Sequence, residues 1–198
     1  MRQKKIKQAT KENLEQMGVV ITPGIIENQF KEMRLEIGSG KGQFITSLAK
    51  DNPQIGFIAM EKDYNVCYRL AEKQQDLGLN NLIVIRGDAA NLSEYFKEQS
   101  LNIIYLNFSD PWPKDRHHKR RLTYHTFLAR YQQVLKEKGK IQFRTDHIDL
   151  FNDSLESLNK YFNPIEIDLN LIETNYMTEY EVKKRVLGPI YQYIGELK

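Results

Sequence analysis

Residues 34–42 read Arg34-Leu35-Glu36-Ile37-Gly38-Ser39-Gly40-Lys41-Gly42. A short apolar run meets three glycines at alternate positions, and a helix-like stretch over 43–50 follows. Glycines directly after a strand and before a helix let the backbone turn sharply and approach a ligand closely. This is the opening βα unit of an α/β fold. The dinucleotide fingerprint G-x-G-x-x-G, started at Gly38, would need its last glycine at Gln43, and the P-loop pattern is absent. Phosphate cradling and a nicotinamide oxidoreductase are therefore disfavoured. Glu36 sets a carboxylate two residues before the turn, where it would repel a pyrophosphate and suit the cationic or amino end of a ligand. Taken alone, the turn is weak evidence for any ligand.

Outward from this unit the chain alternates. Apolar runs with strand character cover 34–37, 55–60, 82–85, 103–108 and 140–143, and helix-like segments cover 43–50, 64–75, 92–99 and 123–136. This βαβα rhythm predicts a mostly parallel sheet with helices on both faces. Gly139 stands where a helix-ending glycine is expected before the fifth strand. A helix over 148–161, a break at Asn163-Pro164 and two late strands over 165–171 and 190–194 complete the pattern. With only a loop between them, those strands can pair as a hairpin at the sheet edge. Residues 1–31, with Lys4, Lys5, Lys7 and Lys11, read as a loosely held basic arm carrying one short helix, and 32–198 as a single domain.

A chain of 198 residues with 40% hydrophobic and 28% charged residues can bury one full core. The formal charge of +3 is too small to name a partner, but positive charge concentrates at the N-terminus and between Lys114 and Arg121. The single cysteine, Cys67, excludes an intramolecular disulfide and fits a reducing, cytoplasmic setting, with Cys67 a small buried filler. Neither a membrane span nor a signal peptide is expected.

Acids recur where strands end. Glu61 closes the second strand, twenty-one residues after Gly40, and Asp88 follows the third. A carboxylate at the second strand end can accept hydrogen bonds from both ribose hydroxyls of a nucleoside, and Asp88 can reach an adenine edge. Glu36, Glu61 and Asp88 together outline a pocket for a nucleoside that lacks phosphate and bears positive charge. S-adenosylmethionine is such a molecule.

The fourth strand runs into Asn107-Phe108-Ser109-Asp110-Pro111-Trp112-Pro113-Lys114. The prolines stiffen the turn, Trp112 offers a stacking face, and Asp110 stands at the strand end beside the expected sulfonium. Arg116, His117, His118, Lys119, Arg120 and Arg121 follow, a basic run suited to phosphate contacts. No metal site is expected at His117, His118, His125 or His147, whose spacing matches no zinc motif. Asp146, in Arg144-Thr145-Asp146, adds a carboxylate at the fifth strand end.

The loop 107–114 with its basic run resembles the bacterial tRNA (guanine-N7-)-methyltransferase family, also called TrmB. The resemblance extends through residues 35–42, 144–146 and Met177-Thr178-Glu179-Tyr180-Glu181, covering roughly 33–195. S-D-P-W-P-K with T-E-Y-E is specific, whereas G-S-G-K-G is shared by many methyltransferases. The segment 1–30 matches the family poorly. The resemblance implies a class I methyltransferase fold, Rossmann-like, with a seven-stranded sheet whose last strand is antiparallel. It implies S-adenosylmethionine contacts at Glu36, Gly38, Gly40, Glu61, Asp88 and Asp110, with Asp110 catalytic. It implies tRNA contacts at Lys114, Asp146, Thr178, Glu179, Tyr180 and Glu181, and a guanosine of the variable loop as target; monomer and homodimer both stay open. Two rivals stand beside it: a methyltransferase for another RNA, a protein or a small molecule, and a non-catalytic RNA-binding module.

Overall fold

The computed structural model describes residues 5–27 and 29–198; the basic start at 1–4, including Lys4, lies outside the described residues. In chain order the elements are α1 (Lys11–Gln16), β1 (Met33–Ile37), α2 (Gln43–Asp51), β2 (Gly56–Glu61), α3 (Tyr64–Asp76), β3 (Leu82–Arg86) and β4 (Leu101–Asn107). Then come α4 (His125–Val134), β5 (Leu135–Thr145), α5 (Ile148–Tyr161), β6 (Phe162–Asp168), α6 (Glu179–Arg185) and β7 (Tyr191–Leu197). One seven-stranded sheet has the order β3-β2-β1-β4-β5-β7-β6. Strands β1 to β5 pair in parallel, and β7 runs antiparallel to both β5 and β6. Strand order reverses between β1 and β4, which opens a crevice at their carboxyl ends.

The pleat divides the core in two. Leu35 and Ile37 of β1 pack with Leu128 and Tyr131 of α4 and Phe151 of α5. On the other face, Phe57 and Ala59 of β2 pack with Phe44 and Leu48 of α2 and Leu70 of α3. Cys67 is buried in this second layer. Helices thus cover both faces, as expected for a parallel sheet.

Several local expectations are corrected. The helix expected over 92–99 is a 3₁₀ turn, Ala89–Glu94. Asp88 caps it directly after β3, and Tyr95 and Phe96 then leave it to enter the core. Gly139 does not end a helix: α4 stops at Val134, and buried Leu135 pairs at once with Leu101. Register then jumps to Ile103↔Lys140, so 136–139 bulge, and a Cβ at Gly139 would stand 2.8 Å from the Lys136 carbonyl oxygen. Asn163-Pro164 lies inside edge strand β6, where the missing N–H of proline is tolerated. The connection between β6 and β7 contains α6. Within the stretch read as a basic arm, a few described residues touch the domain while most are exposed. The Ile6 amide donates to Asn65 Oδ1 at 2.7 Å, Leu14 and Val19 are buried against α3, and Val20 bridges to Ile85. Two apolar side chains outweigh the solvated lysines around them.

Candidate active site

Two clefts open at the carboxyl edge of the sheet. The first, about 640 Å³, is lined by Glu61, Asp88, Asp110, Trp112, Lys119 and Arg120, among others. The second, about 390 Å³, is lined by Gly40, Asn107, Thr178, Glu179 and Tyr180. Gly38 and Phe108 line both.

Between the clefts the glycine turn is built for close approach. Gly38 and Gly40 have φ of +74° and +56°, and among the described residues nothing lies within 4 Å of a Cβ added at either. Gly42 differs: its φ is +78° and an added Cβ would strike Leu70. Beneath the turn Glu36 is 1% exposed, and its Oε1 accepts from Asn107 Nδ2 at 2.8 Å. Burial pushes its carboxyl up to about 8, against the opposing pull of Asn107 and the Ser39 hydroxyl. Among the described residues, Glu36 Oε2 and Asn107 Oδ1 have no hydrogen-bond partner. Two leftover buried acceptors are what a donor-rich cationic group would satisfy. Asn107 was not singled out in the sequence. It could have been, because Tyr105 pairs with Glu36 and a period of two from Tyr105 brings Asn107 to the same face.

Glu61 fastens the turn, accepting from the amides of Gly40 at 3.1 Å, Lys62 at 2.7 Å and Asp63 at 3.1 Å. Asp88 accepts from the Ala90 amide at 2.9 Å and pairs with Lys62 Nζ at 2.7 Å. Burial pushes the Asp88 carboxyl up, but Lys62 and the amide outweigh it, and the group sits below the usual carboxylate range.

After β4 the backbone is strained. Phe108 and Trp112 hold φ of +53° and +41°, a region costly for residues with a Cβ and characteristic of functional loops. Asp110 stands exposed between them. The Arg120 guanidinium lies 4.9 Å over the Trp112 ring, and His117 meets that ring edge-on at 5.7 Å. Lys114, Arg116, Lys119 and Arg120 are exposed, while His117 and His118 are half-buried in a 3₁₀ turn, Asp115–Arg120. Arg121 departs from the phosphate-facing set. It is buried, donates to the carbonyls of Pro111 (2.8 Å) and Trp112 (3.3 Å), and pairs with Asp153 at 2.7 Å. Its donors are spent on bracing the strained loop.

Residues 178–181 form the first turn of α6 and its cap, not a loop. Thr178 Oγ1 accepts from the Glu181 amide at 2.9 Å. The T-x-x-E spacing of a helix start was the signal available in the sequence. Glu179 pairs with Lys41 at 3.4 Å and Lys73 at 3.8 Å across the mouth of the second cleft. The Tyr180 ring centroid is 5.2 Å from that of Phe108, and its hydroxyl donates to Asp146 Oδ2 at 3.4 Å. Asp146 also pairs with Lys184 at 3.0 Å. Glu181, expected to touch substrate, is 0% exposed and bonded to Arg144 and Arg185. Lys73, Lys184 and Arg185 carry charge into this region with no mark in the sequence, whereas Lys41 and Arg144 stood inside quoted motifs without a role.

A reversed parallel sheet, a glycine turn open to a ligand and acids at successive strand ends define a class I methyltransferase that uses S-adenosylmethionine. A sequence family described as "Putative methyltransferase" matches residues 31–191. A tRNA (guanine-N(7)-)-methyltransferase of Staphylococcus aureus strain JH9 is 51% identical over 156 residues, which cover 76% of this chain and 73% of that one. The chain belongs to the tRNA (guanine-N7-)-methyltransferase family. Two solved structures share the fold. The 16S rRNA methyltransferase KamB has 12% identity and a TM-score of 0.67, over 98% of this chain and 97% of its own. A SAM-dependent methyltransferase from Aquifex aeolicus has 12% identity and a TM-score of 0.62, over 95% and 89%.

Proposed function

We propose that this chain transfers the methyl group of S-adenosylmethionine to N7 of a guanosine in the variable loop of tRNA, in the cytoplasm. One observation carries the reading: Asp110 sits on a stiffened loop at the rim of the first cleft, two residues from Phe108, which lines both clefts. A group seated in each cleft would meet beside that carboxylate.

The residues present fit the cofactor. Glu61 and Asp88 offer acceptors to an adenosine, and Gly38 and Gly40 leave room for a close backbone approach. Glu36 and Asn107 hold spare buried acceptors toward an ammonium. When bound, S-adenosylmethionine supplies an electrophilic methyl group on a sulfonium.

Guanine N7 has a lone pair and no proton, so no general base is needed to create the nucleophile. What falls to the protein is alignment and the offset of positive charge moving onto the purine. Asp110 and Asp146 serve both needs, since carboxylates accept from guanine N1–H and N2–H, donors that adenine does not offer in that pattern. Phe108 and Tyr180 form an aromatic wall for the base, with Thr178 and Glu179 at its border. Lys114, Arg116, His117, His118, Lys119 and Arg120 face the phosphates.

The test is incubation with bulk unmodified tRNA and tritiated S-adenosylmethionine, followed by digestion to nucleosides. Label in 7-methylguanosine is expected. Label in another nucleoside, or none in RNA, overturns the reading.

A further inference from the structure

Three charged side chains meet behind the second cleft almost without solvent. Arg144, Glu181 and Arg185 have side chains 6%, 0% and 13% exposed. Glu181 Oε2 is 3.3 Å from Arg144 Nη1, and Oε1 is 2.6 Å from Arg185 Nη2. We propose that this triad sets the shape of the second cleft, and that Arg144, Glu181 and Arg185 are positioning residues that touch no substrate. The inference rests on the methyl transfer proposed above for its kinetic readout.

The connectivity explains how. Arg144, next to last in β5, donates from Nε to Gln192 Oε1 on β7 at 2.7 Å, and from Nη1 to the Tyr176 carbonyl at 3.0 Å. Arg185 donates to the carbonyls of Leu171 and of Ile172, the latter at 2.9 Å. One carboxylate thereby ties α6, through the two arginines, to β5 and β7 and to the segment 171–176 that leads into it. Tyr180 precedes Glu181 by one residue, and Asp146 follows Arg144 by two. Those neighbours shape the cleft: Tyr180 lines it beside Phe108 and donates to Asp146. Among the described residues that line the two clefts, none of the triad appears.

Energetics favour a geometric role over one of bulk stability. Burying charges costs desolvation, and well-packed apolar residues of similar volume commonly serve stability as well or better. A guanidinium adds what apolar residues lack, a planar fork that holds several acceptors at fixed angles.

The test compares Glu181→Gln, Arg185→Gln and the double variant. Three readouts are taken: kcat and KM for tRNA at saturating S-adenosylmethionine, cofactor Kd by calorimetry, and amide hydrogen exchange over residues 178–187. Each single variant is expected to lose about a hundredfold in kcat/KM, as a misplacement of about 1 Å at a reacting site can cost. Cofactor Kd should stay within about twofold, and the double variant should be no worse than either single, because the three residues act as one unit. Exchange over 178–187 should accelerate in all three. Should the Gln variants fail to fold, Arg185→Lys keeps the charge, drops the fork, and should move the same readouts in the same direction. Normal kcat/KM in Arg185→Gln (or in that Lys variant) beside a damaged Glu181→Gln would make Glu181 a substrate contact and overturn the proposal. Cofactor affinity falling in step with kcat/KM would also overturn it, as general misfolding. If the unmutated protein methylates no tRNA, the proposed function fails, and the exchange result alone decides the triad: unchanged exchange sinks it.

Discussion

Glu36 and Glu181 are buried to the same degree, at 1% and 0% exposure, yet they are opposites. Glu181 is held by two arginines, and both of its oxygens are engaged. Glu36 has one amide partner and one oxygen left over, and its carboxyl is pushed up to about 8 by burial. We read Glu181 as a carboxylate completed by the fold and propose Glu36 as one that a ligand completes. The pair also divides the site: Glu36 underlies the glycine turn, and Glu181 backs the second cleft through α6.

The comparison breaks most visibly in stability. Glu181→Ala leaves two buried arginines without their counter-charge and should cost about 3–5 kcal/mol in chemical denaturation. Glu36→Gln keeps the shape, removes a group that burial disfavours when ionised, and should cost no stability at pH 8. Equal losses in the two variants would erase the distinction.

Next comes turnover. Asp110 belongs to neither buried class: it is exposed on a strained loop, and its work is proposed to lie in the reaction itself. Asp110→Asn should lower kcat about a hundredfold or more at saturating S-adenosylmethionine, as when one preorganised electrostatic group is lost. Turnover near the normal rate would make Asp110 a loop-packing residue.

A smaller effect per pH unit should be read on Glu36. Its carboxyl is protonated in the folded protein below about 8, against an ordinary value of 4.5 in the unfolded chain. Folding of the free protein therefore takes up a proton in that window, and this group's contribution to stability is lost as pH rises from 4.5 toward 8. A cationic ligand favours the ionised carboxylate, so binding should release a proton and strengthen by up to about tenfold per pH unit between about 6 and 8. Calorimetry in buffers of different ionisation enthalpy would show the released proton. Persistence of the whole pH dependence in Glu36→Gln would assign it to another group.

The smallest effect concerns the basic run, where Arg121 is spent on Asp153 and the loop carbonyls while Lys119 and Arg120 are exposed. Replacing Lys114 and Arg116, which are exposed and line neither cleft, with Ala should flatten log K against log salt for tRNA by up to about 0.9 per lost phosphate contact and leave cofactor affinity alone. Arg121→Ala should instead lower the melting temperature. A reversal of these two outcomes would return Arg121 to the RNA face.

What the sequence by itself determined is whatever the backbone decides within a few residues. The β-α alternation, the glycine turn at 38–42 and the lodging of Glu36, Glu61, Asp88 and Asp110 near one sheet edge were legible, because parallel strands end on the same edge whatever their order. Tertiary structure alone decided which polar groups lose water. Arg144 meets Glu181 across 37 positions, and Arg121 meets Asp153 across 32. Thr178 and Glu181 look like surface residues until α6 docks, and Leu14 and Val19 belong to a tail until α3 is there to cover them. The physical reason is that backbone preference acts locally, whereas the desolvation that fixes a charge in one role depends on every element packed around it.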